Sequence, residues 1–335
     1  MKIIVDTLGG DNAPLAVFQG VLDAMAKDKE LQTILVGKKE EITSFFQKNN
    51  GDLSRIEIIE AEEAVLNTDH PSLFLKQKPN SSLAKCFEAL RTRNDISAMV
   101  SAGPTGAILT GTVLRIGRIP GIARPALMAT IPTRPGPLCR VMDVGANMDC
   151  KPEYLYQFAI MADAYLKTIG VANPRIGLLN VGAEEGKGNE LAKAAYPLLQ
   201  QSGLNFVGNI EGDHVLRGEA DAVICDGFSG NVWVKSLEEA CKYVSDLFKE
   251  AVTGNPLAKF GALFQLKGLK KAKLPFEMSR KACAPLLGAK KVIVKAHGKA
   301  EADSIMLTIE EAVRLVKEGL IEKIGEAMKP AETQQ

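Results

Sequence analysis

The sequence has almost no net charge. Forty-one Lys and Arg face 40 Asp and Glu, leaving a formal +1, so no bulk attraction to nucleic acid or anionic lipid follows and any charged partner must be met locally. No CxxC pair occurs among the six cysteines (Cys86, Cys139, Cys150, Cys225, Cys241, Cys283). Reduced thiols in a cytoplasm are the expected state, with the first strand opening at Ile3 and no targeting peptide before it. No apolar run approaches the roughly 20 residues of a spanning helix. The three histidines, His70, His214 and His297, are not spaced for zinc, and no metal is expected. There is no GxSxG elbow. The Gly-Gly-Asp-Asn at 9–12 has the wrong spacing for a dinucleotide loop, and the Lys in GKGNE is not followed by the Ser or Thr of a Walker loop. Serine esterase, metal hydrolase and nicotinamide chemistry are disfavoured, and no cofactor is implied.

What the sequence does have is one phrase repeated: a short apolar strand, a turn of Gly with Asn, Asp, Ser or Thr, then a helical pattern. It occurs at 3–14 (IIVDTLGGDNAP), 98–107 (AMVSAGPTGA), 140–152 (RVMDVGANMDCKP), 176–191 (IGLLNVGAEEGKGNEL) and 222–234 (AVICDGFSGNVWV). Strands alternating with helices predict an α/β fold with a mostly parallel sheet, where such turns emerge at the carboxyl edge of their strands. The expectation is that all five meet in one crevice. The chain reads as a single α/β domain over 1–335 with two subregions, 1–120 and 121–330, joined by a Pro- and Gly-punctuated strip whose middle, Ala126 to Ile131, predicts an extra strand. Helices are expected from Pro14, from Pro152, from about Lys235 to Val252, and from Glu301 to about Met328.

Bare amides, carboxamides and a few lysines suit an anion or a developing oxyanion. The candidate binding residues are Asp6, Gly9, Gly10 and Asp11; Ser101, Thr105 and Gly106; Asp143 and Gly145; Asn180, Gly182, Gly186 and Gly188; and Asp226, Gly227 and Gly230. The candidate catalytic residues are Lys187, Asn189, Asn147, Asn231 and His297. Lys187, between two glycines that let backbone approach a ligand, can meet a phosphate charge. With Lys187 and the 101–106 amides able to hold phosphate, and Asn147 or Asn231 able to polarise a carbonyl, phosphate, itself an oxyanion, could attack without a protein nucleophile. Cys150, near a helix start, is the rival nucleophile. His297 is either a general acid for a departing thiolate or a turn residue.

Segment 67–82, with Lys76 and Lys78, is a solvated loop or a basic wall of the crevice, the former favoured. Residues 254–276 have five lysines and no acid. Their Lys259, Lys267, Lys270, Lys271, Phe260 and Phe264 fit a helix at an anionic interface or an ordinary surface hairpin. The wider stretch 236–276 is expected to protrude as a partner, membrane or dimer surface.

Taken in order, VDTLGGDNAP, SAGPTGA, RPAL with IPT, DVGANMDCKPEYL, GLLNVGAEEGKGNEL, NFVGNIEG, CDGFSGNV and KAHG resemble the phosphate acyltransferases of bacterial phospholipid synthesis along nearly the whole chain. Lys187, Asn189, Asp143, Asn147, Asp226 and Asn231 match that pattern. Pro104 stands where the family carries Asn, and Thr7-Leu8 where it carries Ala-Met. The resemblance implies a three-layer α/β/α sandwich like isopropylmalate dehydrogenase and phosphate acetyltransferase, with a helical hairpin. It implies conversion of acyl-[acyl carrier protein] and inorganic phosphate to acyl phosphate, feeding glycerol-3-phosphate acylation. A homodimer is implied, cytoplasmic, with peripheral contact to the membrane or to a membrane acyltransferase, and no nucleic acid. Two other readings stand beside it: a short-chain acyl-CoA:phosphate transferase, and an inactive peripheral scaffold for the acyl carrier.

Overall fold

A computed structural model of the chain describes residues 1–134, 136, 138–254, 268 and 283–329. Within them the first half alternates β1 (Lys2–Asp6), α1 (Leu15–Lys27), β2 (Gln32–Gly37), α2 (Lys39–Lys48), β3 (Ile56–Glu60), α3 (Phe74–Gln77), α4 (Ser82–Thr92), β4 (Ile96–Ser101) and α5 (Thr105–Gly111). The second half continues with β5 (Ala126–Pro132), β6 (Leu138–Met142), α6 (Pro152–Thr168), β7 (Ile176–Asn180), α7 (Glu190–Gln200), β8 (Phe206–Glu211), α8 (Gly212–Val215), β9 (Ala222–Ile224), α9 (Gly227–Thr253), β10 (Ala284–Leu287) and β11 (Val292–Lys295). Helices α10 (Ala302–Lys317) and α11 (Leu320–Ala327) close it.

The strands form one sheet in the order β3-β2-β1-β4-β11-β10-β5-β6-β9-β7-β8. Side chains alternate across it. Ile3 and Val5 face one core with α1, α6 and α10; Ile4 faces the other with α4 and α5. That is the expected three-layer sandwich, strands apolar on both faces because helices cover both. The two faces are not alike. One carries a continuous apolar core across both halves. On the other, the core is split into a cluster under α4 and α5 and a second under α8 and α9, where Trp233, Val234 and Leu237 pack.

The split coincides with a reversal of strand direction. Strands β1 to β4 and β11 are parallel to one another. β10 is antiparallel to β11, β5 to β10, and β6 to β5; β9, β7 and β8 then follow β6. Three reversals leave the carboxyl ends of β6 to β9 at the edge opposite those of β1, β4 and β11. The five polar turns therefore divide between two edges, a correction to the single crevice expected from the sequence.

Two helix boundaries also differ from expectation. Helix α9 starts at Gly227 and not near Lys235, because Asp226 caps it by accepting from Ser229 N–H and Oγ–H, both at 2.8 Å. Asn231 and Lys235 thus stand on helix. At 27 residues and 1.5 Å per residue this helix is about 40 Å long, enough to start at one edge of the sheet and reach the other. The C-terminal helix is broken at Gly319, whose φ of +62° is left-handed. Segment 255–267, with Lys259, Phe260, Phe264 and Lys267, and residues Lys270 and Lys271 lie outside the described residues.

Gly230 lets the start of α9 lie on the β6 turn. A Cβ there would run into the Asp143 carbonyl oxygen and sit 2.7 Å from Cys225 Sγ. Gly230→Ala is expected to destabilise the fold by about 2–3 kcal/mol, read as a lower melting temperature. Gly186→Ala, which meets nothing within 4 Å, is the control expected to melt unchanged.

Candidate functional site

The turns after β1, β4 and β11 are drawn together at one edge. Asp11 N–H donates to Gly298 O at 2.7 Å, and Asn12 Nδ2 donates to the carbonyls of Lys299 and Ala300. Gly10 holds a φ of +104°, and a Cβ on it would lie 2.9 Å from that of Ala102 and 3.1 Å from Gly298 O, so only glycine fits where these turns converge. Beneath them Asp6 is buried. It accepts from Ser101 Oγ at 2.7 Å, and Ser101 in turn accepts from Gly103 N–H at 2.9 Å. Burial raises the Asp6 carboxyl, with Ser82 and Ser101 opposing. Asp6, Ser101, Gly9 and Gly10 thereby hold the floor of the site.

Two cavities open here. One, of about 290 Å³, lies among Gly10, Asp11, the 102–105 turn, Lys295 and the 297–299 turn. The other, of about 190 Å³, runs under α9 over β5 and β10. Thr105, Lys235, Lys295 and His297 line both, so they form one cleft with a polar and an apolar arm. Val65, Leu66 and Asn67 wall the polar arm. Lys78 does not; it pairs with Asp69 at 2.6 Å.

Lys295 is the cation at the junction. Burial, then the facing Lys235, pulls its ammonium down to about 8, with Glu238 opposing. Its Nζ donates to Ala296 O at 2.9 Å. A half-buried lysine beside a second lysine is an incomplete arrangement that an anion would complete. Sequence reasoning missed both residues: Lys295 reads as the end of the strand VIVK and Lys235 as an ordinary helix start. The available signal was Lys295 lying next to the AHG turn.

His297 does line the cleft. Its Nδ1 accepts from Lys299 N–H at 3.1 Å, which turns the Nε2 edge of the ring away from that backbone. Thr105 and Asn231 also line the cleft. Of the 101–106 amides, Gly103 N–H is engaged by Ser101 and Pro104 has none, while Thr105 and Gly106 open the first turn of α5.

The remaining sequence candidates hold turns. Asp143 is buried and accepts four bonds, from Leu127 N–H and Ala146 N–H at 3.0 Å and from Asn147 N–H and Nδ2 at 2.6 and 2.9 Å. Asn147 gives its other amide hydrogen to Pro125 O at 2.8 Å, so it has none for a carbonyl. Gly145 turns at a φ of +119° against Asn231. Asp226, Gly227 and Gly230 build the start of α9. In the 180–189 turn, Asn180 accepts from Val181 N–H and donates to Lys187 O, and Gly188 packs on Asn180. Asn189 caps α7 through Ala192 N–H at 2.9 Å. Lys187 is exposed, and neither arm of the cleft is lined by Lys187, Gly182, Gly186 or Asn189. The cause is strand direction: β7 delivers this turn to the opposite edge from β4.

Cys150 is a poor nucleophile. Burial, and after it Asp143, pushes its thiol up to about 12. Among the described residues no His, Cys, Asp and Glu cluster could hold a metal, and no helix is long and apolar enough to cross a membrane.

Residues 1–323 match a family described as fatty acid synthesis protein. The chain is 40% identical over 326 residues to a phosphate acyltransferase of Clostridium acetobutylicum, covering 97% of this chain and 98% of the relative. It is 41% identical over 329 residues to that of Brevibacillus brevis, covering 98% and 97%. Among solved structures it resembles a phosphotransacetylase from Streptococcus pyogenes (TM-score 0.58, 17% identity, 98% of this chain and 94% of the other). A 4-hydroxythreonine-4-phosphate dehydrogenase from Klebsiella pneumoniae follows at a TM-score of 0.52 and 13% identity over 94% and 99%. At such identities these two speak for the fold alone.

Iodoacetamide at mildly alkaline pH is expected to leave Cys150 unmodified in the native protein and to label it after unfolding, read by peptide mass spectrometry. Rapid native labelling would restore it as a candidate nucleophile.

Proposed function

The chain belongs to the phosphate acyltransferases of the fatty acid synthesis protein family, and from that premise we propose that its donor is acyl-[acyl carrier protein] and that phosphate binds in the Lys295 cleft. The observation that carries the reading is the pair Lys295 and Lys235 at the junction of a polar and an apolar cavity. Phosphate lies against the two ammonium groups and the first amides of α5, anion meeting cations and a helix start. One phosphate oxygen attacks the thioester carbonyl. Asn231 faces the tetrahedral oxyanion from the first turns of α9, and an oriented donor of this kind contributes about 3 kcal/mol. The C–S bond breaks, and the departing thiolate takes a proton from Lys295, whose value of about 8 lies close to a thiol's own ~8.5. In this reading Lys295 takes the place the sequence suggested for His297 as acid and for Lys187 as phosphate ligand.

The acyl phosphate would feed glycerol-3-phosphate acylation. A homodimer and a peripheral contact with the membrane or a membrane acyltransferase belong to the same proposal. They are supported by the exposed Tyr243, Leu247 and Phe248 along α9 and the basic composition of 254–276.

Purified protein given palmitoyl-[acyl carrier protein] and phosphate should release acyl phosphate, trapped as the hydroxamate with hydroxylamine. No hydroxamate, or turnover only with acetyl-CoA, would overturn the carrier reading. Lys295→Met should lower kcat/KM for phosphate about 100-fold. Lys187→Ala decides the location of phosphate: near-normal KM supports the Lys295 cleft, and a matching loss supports the 180–189 turn.

The pH dependence carries a sign. Lys295 is cationic below about 8 in the folded enzyme, so kcat/KM for phosphate should hold up to that pH and fall above it as the ammonium loses its proton. The falling limb should be absent from Lys295→Met. For stability the sense is opposite. Between about 8 and the ordinary 10.5 the unfolded chain binds the extra proton, so stability rises with pH across that window and the charge costs stability below it. Lys295→Met should therefore melt higher than wild type at neutral pH, by on the order of 1 kcal/mol given the solvent-facing part of the side chain.

A further inference from the structure

The second arm of the cleft is built for something other than an anion. Its sheet wall is Leu127, Ala129 and Ile131, alternate residues of β5 that share one face. Its helix wall is Val234, Leu237 and Cys241, at spacings of three and four that form one stripe of α9. Beside that stripe runs a polar one, Asn231, Lys235 and Glu238, so the helix presents a polar and an apolar edge to the same opening. The apolar arm falls where the core of this face is split, between the cluster containing Leu127 and the one containing Ile131 and Leu237. Protein interiors are close-packed. An apolar gap between two cores, opening onto a cationic junction, is the form of a ligand pocket.

The activity demands an acyl group within bonding distance of phosphate. We infer that the groove between α9 and β5 receives the acyl chain of the thioester, with Ala129, Leu237 and Cys241 setting the length accepted. This rests on the placement of phosphate at Lys295 and Lys235. With the carbonyl at the junction beside Lys235 and Lys295, the carrier's thiol arm leaves through the polar arm, among residues 102–105 and 297–299, and the hydrocarbon lies along the apolar walls, where each buried methylene favours binding.

The test is kcat/KM for butyryl-, octanoyl- and palmitoyl-[acyl carrier protein] in wild type, Ala129→Phe and Leu237→Ala. Filling the groove with Ala129→Phe should lower the palmitoyl value at least about tenfold while the butyryl value changes less than about threefold. Leu237→Ala, which widens it, should shift preference toward palmitoyl. An equal change across all three donors, or none in either variant, would overturn the inference. If Ala129→Phe does not fold, as its melting profile reports, Leu237→Ala decides. Failure of the underlying reading looks different: Lys295→Met would then keep a normal phosphate KM, whatever the chain-length profile.

Discussion

The pairing of β10 with β5 is the constraint on which this architecture depends. Antiparallel bonds on both sides of these two strands turn the second half of the sheet upside down relative to the first. Had the sheet been parallel throughout, every polar turn would share one edge. With the reversal, only the turns after β1, β4 and β11 do. The long helix after β9 must start at the far edge and run back over the sheet to reach them. That return path lays Asn231, Lys235 and Leu237 over the middle strands and leaves a cleft where one helical layer stops and the other begins. Topological switch points are where α/β sheets leave room for ligands, and here the switch is a change of direction.

The charges buried around that cleft fall into two kinds. Asp6 and Asp143 are carboxylates whose oxygens are occupied by turn amides and hydroxyls. They replace hydration with fixed donors and hold loops rigid, which is what a buried carboxylate requires. Lys295 is the reverse. Its cation is met by a carbonyl and a second lysine, with Glu238 offsetting only part of the cost, an arrangement unfavourable to the protein alone and favourable once an anion arrives. Stability given up at such a position is a familiar mark of a working site.

The same contrast explains which residues were legible. Asn147, Asn180, Asn189 and Asp226 look catalytic in one dimension because they stand in glycine-rich turns between strand and helix. Those places also call for Asn and Asp as helix caps and turn-holders, and in three dimensions that is the work they do. Lys295 and Lys235 carry no local signal. A lysine ending an apolar strand and one in an amphipathic helix are ordinary until the sheet brings them face to face across 60 residues. Thr105, Asn231 and His297 line one cleft, but their meeting required the path of α9.

By itself the sequence determined the alternation of strands and helices, the three-layer class, the family, and the absence of a nucleophile constellation. These follow from apolar period, turn chemistry and ordered motifs, all local along the chain. The direction of the middle strands, the division of five similar turns between two edges, and the identity of the cleft's cations were decided only by tertiary structure. Hydrogen-bond partners between strands and the burial of a charge arise from contacts between distant segments, and no local pattern encodes them.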